Sequence, residues 1–168
     1  SQFAIDSFEY DDGAWGLPQE IQSHEISLLF IALLAEKNAE LSARKVRLAA
    51  ALAMEPRLML PLLDDQEISE WQRVIGAEAT SLPDNVFTFT ARANTEWGRA
   101  LSFLRTNDYL IENQQNDTWS ASDKALSYPT PAWAKGRAQW VLKAVEKLDM
   151  EELLTQVPEE IRGWVNAA

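Results

Sequence analysis

Residues 94–122 read NTEWGRALSFLRTNDYLIENQQNDTWSAS, and the architecture is predicted from this stretch outward. Asn94 is a suitable N-cap. Trp97, Leu101 and Leu104 follow at spacings of four and three, which is typical of a helix with one buried face. We therefore predict a helix that begins near Asn94 and ends near Asp108.

A β-hairpin is predicted directly after this helix. Tyr109-Leu110-Ile111 forms one short apolar run, Thr118-Trp119-Ser120 forms another, and residues 112–117 between them are all polar. Two short apolar runs on either side of a polar turn are the pattern of a hairpin.

The predicted helix also carries a polar stripe. Its members repeat at spacings of three and four, with Arg105 beside them, and they are Arg92, Thr95, Arg99, Ser102 and Thr106. Arg92 lies just before the predicted cap. We expect this stripe to face solvent or a ligand.

Several further elements are predicted before the stripe. Apolar residues surround a helix from Ser23 to about Lys37, which indicates the centre of a core. Ser42 caps a second helix that ends at Met54, with Arg44, Lys45 and Arg47 exposed. A third helix fits residues 66–78, and the alternation in residues 86–90 predicts a strand.

The carboxy-terminal part is predicted to be helical, with one helix over residues 131–148 and a last one beginning at Pro158. Trp133 and Trp140 lie on one stripe of the first of these helices. They are either core residues or interface anchors, and an interface there would make the protein a homodimer.

The expected fold class is mainly α with a small β-hairpin, namely a winged helix-turn-helix core with additional carboxy-terminal helices. Residues 1–17 are predicted to be an irregular arm. Residues 18–128 would form the winged-helix-like domain, with an insertion around residues 56–91. Residues 129–168 would pack on it as helices.

Composition excludes several classes of protein. The 168 residues contain no cysteine and one histidine, so thiolate chemistry and His-rich zinc sites are excluded, and no cofactor is expected. There is no glycine-rich phosphate loop and no serine–histidine nucleophile pattern, so we expect no catalytic residues and no enzyme. Without a long apolar run or an amino-terminal signal pattern, we expect a cytoplasmic protein with no membrane partner.

Residues 97–126, WGRALSFLRTNDYLIENQQNDTWSASDKAL, resemble the winged-helix superfamily, and in particular the amino-terminal winged-helix domain of Mrr-type restriction proteins. The similarity lies in a helix with a "YL" step that leads into a hairpin with an aromatic residue. It implies double-stranded DNA as partner, with the helix in the major groove and the hairpin on the backbone. The Glu-x-Lys motif of the restriction nuclease core is absent, so only a binding half is implied.

On that resemblance, the residues expected at DNA are Arg44, Lys45, Arg47, Arg92, Arg99, Ser102, Arg105, Thr106, Asn113, Gln114, Gln115, Asn116 and Lys124. The formal net charge of -11 argues against a nucleic acid, although residues 92–143 carry 7 basic and 5 acidic side chains. The leading hypothesis is a DNA-binding regulator or the recognition module of a DNA-defence system. The alternative is an acidic winged-helix adaptor that binds a protein. A DNA reader requires its arginines on a contiguous positive face, whereas an adaptor has them dispersed or paired with acids.

Overall fold

The computed structural model describes residues 23–37, 40–75 and 86–167. They form a mainly helical fold with a small antiparallel sheet. The elements in chain order are α1 (Ser23–Lys37), β1 (Leu41–Ser42), α2 (Ala43–Met54), a 3₁₀ helix (Pro56–Leu62), α3 (Asp65–Ile75), α4 (Val86–Thr106), β2 (Leu110–Asn113), β3 (Thr118–Ala121), α5 (Asp123–Leu126), α6 (Ala132–Val145), α7 (Met150–Thr155) and α8 (Glu159–Asn166).

Helix α1 lies in the middle of the core, as its apolar sequence predicts. Ile26, Leu29, Phe30, Ile31, Leu33 and Leu34 are all buried. The helix packs against α2, α4 and α6 and also contacts β3. A helix that is apolar on nearly every face requires neighbours on nearly every face, and these elements supply them.

Local capping determines where several helices begin. Ser42 accepts a hydrogen bond from the Lys45 backbone N–H at 3.1 Å, which confirms it as the N-cap of α2. Asp64 and Glu67 form a reciprocal capping box at the start of α3. Helix α7 was not predicted, although Asp149 caps it through the Glu152 N–H at 2.9 Å. The Asp-x-x-Glu pattern there would have indicated it.

The sheet has the order β1-β3-β2, with both pairs of strands antiparallel. The hairpin prediction is confirmed, and strand β2 continues through Glu112 to Asn113, so that only four residues form the turn. Strand β1, which has two residues, was not predicted. It pairs Leu41 with Trp119 and so connects the start of α2 to the hairpin.

Two predictions about residues 86–94 are wrong. The expected strand over residues 86–90 is the first part of α4, and Asn94 lies inside that helix rather than at its cap. Five alternating residues are too short a pattern to determine a strand, because strand preference depends on pairing with a neighbour. Arg92 consequently lies on α4, and its side chain is outside the described residues.

A cluster of stacked aromatic rings joins α1, α4, β3 and α8. The Phe30 ring centre lies 4.8 Å from that of Trp97 and 5.6 Å from that of Trp119. Trp164 of α8 meets Trp97 edge-on at 5.6 Å. Because each ring comes from a different element, this cluster fixes the hairpin and the last helix on the central helix.

The carboxy-terminal helices begin where predicted, with Pro131 and Pro158 preceding α6 and α8. Trp140 is only 7% exposed and belongs to the core, which agrees with the first of its two predicted roles and not with an interface anchor. Trp133 is half-buried, and its ring lies 5.8 Å from the guanidinium carbon of buried Arg137. Helix α6 packs on both α1 and α2, and this packing covers the stripe that carries Trp140.

We expect Trp97→Ala to lower the free energy of unfolding by about 3–5 kcal/mol, because it removes a buried aromatic ring from the centre of the cluster. Urea denaturation followed by far-UV circular dichroism measures this change. Ser102→Ala on the exposed face of the same helix is the control and should stay within about 0.5 kcal/mol of the parent. Equal losses in the two variants would contradict a stabilising role for the cluster.

Candidate functional site

Two cations of α2, Arg44 and Arg47, contact the carboxy-terminal helices. Arg44 Nη2 donates to Asn166 Oδ1 at 2.7 Å and lies 3.6 Å from Glu151 Oε2. Arg44, Lys45 and Arg47 are predicted to be exposed and are half-buried, with the Arg44 side chain 41% exposed. Helix α8 packs on α2 and contacts both Arg44 and Arg47.

Arg47 makes the most extensive contacts of the α2 cations with α8. Its Nε donates to the Trp164 carbonyl oxygen at 2.8 Å. Its guanidinium carbon lies 4.3 Å from the Trp164 ring centre and 5.7 Å from that of Trp97. Desolvation lowers the pKa of Arg47, which remains charged at neutral pH because its ordinary value is so high. This side chain, which is among those expected at DNA, contacts α8 through its hydrogen bond and its stacking on Trp164.

The polar stripe on α4 does face outward. Thr95, Arg99, Ser102, Arg105 and Thr106 are exposed, while Trp97 and Leu104 on the opposite face are buried. The predicted orientation of this helix is therefore confirmed over residues 95–106. Whether any of these side chains contacts DNA stays a prediction.

Arg105 forms a two-point ion pair with Glu112 of β2. Its Nε and Nη2 atoms donate to the two carboxylate oxygens at 2.9 and 2.6 Å. The hydrogen bonds from Arg105 lower the pKa of Glu112, and the same bonds raise the pKa of Arg105. The hairpin thus places a carboxylate on one of the arginines expected at DNA.

The hairpin turn is ordered by its own hydrogen bonds. Asn113 Oδ1 accepts from the backbone N–H groups of Gln115 and Asn116 at 3.1 and 3.2 Å. Its Nδ2 donates to Glu40 at 3.4 Å, and Thr118 Oγ1 donates to the same carboxylate oxygen at 2.7 Å. Gln114, Gln115 and Asn116 are exposed at the tip, where the resemblance placed them, and their contact with DNA stays a prediction.

Lys124 lies against the end of α4. Its Nζ donates to the Asn107 carbonyl oxygen at 2.9 Å and lies 5.0 Å from the Tyr109 ring centre. A cation beside the last carbonyls of a helix is favoured by the helix dipole. Arg44, Arg47, Arg105 and Lys124 therefore each have a partner within the chain.

The same end of the molecule exposes apolar side chains that the sequence analysis did not single out. Phe103 is 39% exposed, Ile111 51% and Leu126 38%, and they are the exposed large apolar residues of the described part of the chain. The Tyr109 ring centre lies 5.8 Å from that of Phe103 and 5.4 Å from that of Tyr128. We call Phe103, Tyr109, Ile111 and Tyr128 the hairpin strip.

The hairpin strip follows from strand register. Trp119 is buried and lies opposite Glu112, so these two residues share the face that is turned toward the core. Ile111 and its partner Ser120 occupy the other face, and the alternation of the strand places Tyr109 with them. Because all three residues of Tyr109-Leu110-Ile111 are apolar, a strand formed by this run must place apolar side chains on both of its faces.

The described residues contain neither a metal-binding cluster nor a membrane-spanning helix. Within residues 23–37, 40–75 and 86–167, no group of three potential ligands among His, Asp and Glu could hold a metal ion. No helix in those ranges has the length and apolar character needed to cross a bilayer. Comparison of the chain with family models, curated proteins and solved structures found no match.

We expect Arg105→Gln to raise the pKa of Glu112 toward its ordinary value, because the hydrogen bonds that lower it are lost. A carboxyl with a depressed pKa stabilises the fold above its unfolded pKa of about 4.3, and that contribution disappears as the pH falls through the folded value. NMR titration of the Glu112 carboxyl carbon measures the shift.

The control is Arg44→Gln, which removes an arginine that does not contact Glu112. It should leave the titration of Glu112 as it is in the parent. A Glu112 titration that is the same in the parent and in Arg105→Gln would show that the ion pair does not persist in solution.

Proposed function

We propose that this chain is a non-catalytic protein-interaction module built on a winged-helix core, and that it binds its partner through the hairpin strip. The core is supported by the order helix, strand, helix, helix, strand, strand of α1, β1, α2, α4, β2 and β3, with α3 as an addition. The strand order β1-β3-β2, in which the first strand adds to the edge of the hairpin, agrees with it. Helices α6, α7 and α8 would then be carboxy-terminal additions.

The observation that carries the protein-binding proposal is the location of exposed apolar surface. In the described residues, Phe103, Ile111 and Leu126 all lie between the end of α4 and α5, within 24 positions of one another. Scattered exposed apolar residues are ordinary, but their restriction in the described residues to one stretch, made of the end of α4, the hairpin and α5, favours a binding surface there. Aromatic and large aliphatic side chains are also the residues that serve as anchors in protein interfaces.

Electrostatics favours a protein partner over DNA. Duplex binding gains much of its affinity from cations that neutralise phosphates. Arg105 already pairs with Glu112, and Arg47 donates to Trp164. Breaking such contacts would cost part of the affinity gained, and the net charge of -11 adds a general repulsion.

Charge repulsion also makes a second copy of the chain a poorer partner than a basic protein. Two molecules with a formal charge of -11 each repel one another. Of the two tryptophans that suggest a dimer, Trp140 is buried in the core and Trp133 is half-buried. We therefore propose a partner that differs from this chain.

We expect a photo-reactive amino acid at position 111 to cross-link a protein partner in an extract of the source cells. The same label at position 139, which is exposed on α6, should not. Phe103→Ser together with Ile111→Ser should weaken binding of the captured partner at least about tenfold, which is the ~1.4 kcal/mol typical of a lost interface anchor. Circular dichroism should show that the double variant remains folded, since both residues are exposed.

A mobility-shift assay on mixed genomic duplexes tests the DNA hypothesis directly. We expect no retention of duplex at physiological salt, either by the parent or by Arg99→Ala with Arg105→Ala. Retention by the parent that falls steeply with salt and is lost in that double variant would establish DNA binding and overturn the proposal.

A further inference from the structure

The free edge of β2 is the feature from which a binding mode can be derived. In the described residues β2 pairs with β3 only, so its other edge has no neighbouring strand. An unpaired edge presents a row of backbone donors and acceptors that can take another strand. One member of the hairpin strip, Ile111, belongs to β2 itself.

Strand register identifies which backbone groups point outward. The Ser122 N–H donates to the Tyr109 carbonyl oxygen at 3.0 Å, so this is a hydrogen-bonded pair of the hairpin. Such pairs alternate along an antiparallel ladder, which makes Ile111–Ser120 and Asn113–Thr118 the next ones. The N–H and C=O groups of Leu110 and Glu112 therefore point to the free edge.

The hydrogen bonds between β3 and β1 support this assignment of backbone directions. The Ala43 N–H donates to the Asp117 carbonyl oxygen at 3.1 Å. Asp117 and Trp119 thus direct their backbone groups toward β1, while Thr118, Ser120 and Ser122 direct theirs toward the β2 side. The backbone hydrogen bonds of β3 with β1 and with β2 therefore give the same assignment of inward and outward groups.

Charge around the edge indicates the kind of segment that fits. From Arg105 to Leu126 the chain has two cations, Arg105 and Lys124, and four acids, Asp108, Glu112, Asp117 and Asp123. Glu112 neutralises Arg105, and Lys124 lies against Tyr109 and the end of α4. Asp108, Asp117 and Asp123 are exposed, and the stretch with its two cations and four acids has a net charge of -2.

We propose that β2 binds an extended segment of the partner protein as an additional strand, and that this segment carries apolar side chains on the Ile111 face and a net positive charge. The proposal rests on the protein-interaction function proposed above and adds the binding mode and the chemistry of the partner. Backbone hydrogen bonds to Leu110 and Glu112 supply pairing, contact with Ile111 and Phe103 supplies apolar burial, and the net negative charge of this stretch favours a basic segment.

A library of random 12-residue peptides displayed on phage provides the test, with the full chain as the immobilised target. We expect selected peptides to have a net positive charge and apolar residues at every second position. Their dissociation constants should rise at least about tenfold on Ile111→Ser. Ile68→Ser, which removes a half-buried isoleucine from α3, should change them less than about twofold.

Backbone methylation of the best peptide distinguishes strand addition from simple apolar contact. Methyl groups on alternate amides should each weaken binding at least about tenfold, because those N–H groups face β2, and methyl groups on the intervening amides should have little effect. Uniform effects along the peptide, acidic selected peptides, insensitivity to Ile111→Ser or an empty selection would each overturn the proposal.

The outcome is separable from that of the proposed function. A native partner that cross-links at position 111 while the peptide experiments fail would retain the protein-interaction function and reject strand addition. Absence of any cross-linked protein together with salt-dependent duplex binding would reject both.

Discussion

The stacking of Trp97 on Phe30 and Trp119 is the contact on which the rest of the structure depends. It joins the central helix α1 to α4 and to the hairpin, and Trp164 extends it to α8. Each aromatic pair contributes about 0.5–1.5 kcal/mol beyond its buried area, and the rings together bury a large apolar surface. Without this cluster, a two-stranded hairpin of eight paired residues would have little to hold it on the helices.

The arrangement around the cluster determines the character of the surface. Because α8 packs on α2, it brings the Trp164 carbonyl to Arg47 and Asn166 to Arg44. Because β2 folds back beside α4, it brings Glu112 to Arg105. The same folding leaves Ile111 on the outer face of the hairpin. The surface there is therefore apolar, and its arginine, Arg105, is paired with a carboxylate.

How far each feature could be predicted depends on the range of the interaction that creates it. Helix α1, the Ser42 cap and the hairpin were predicted because their patterns lie within a few consecutive residues. The strand expected over residues 86–90 failed, since its alternation is short and a strand needs a pairing partner. Burial of Trp140 was an open alternative, because helical spacing gives the stripe on which a residue lies but does not say what covers it.

In the candidate binding surface, too, some features follow from local sequence and others only from the packing of distant elements. The amino-acid order predicts that Arg99, Ser102 and Thr106 share one polar stripe of a helix with Arg105 beside it, because backbone geometry repeats at fixed periods. Only the folded chain decides that Arg47 meets Trp164, 117 positions away, and that Arg105 meets Glu112. The physical reason is that electrostatic partnership and solvent exposure depend on which elements pack together, and local periodicity carries no information about that packing.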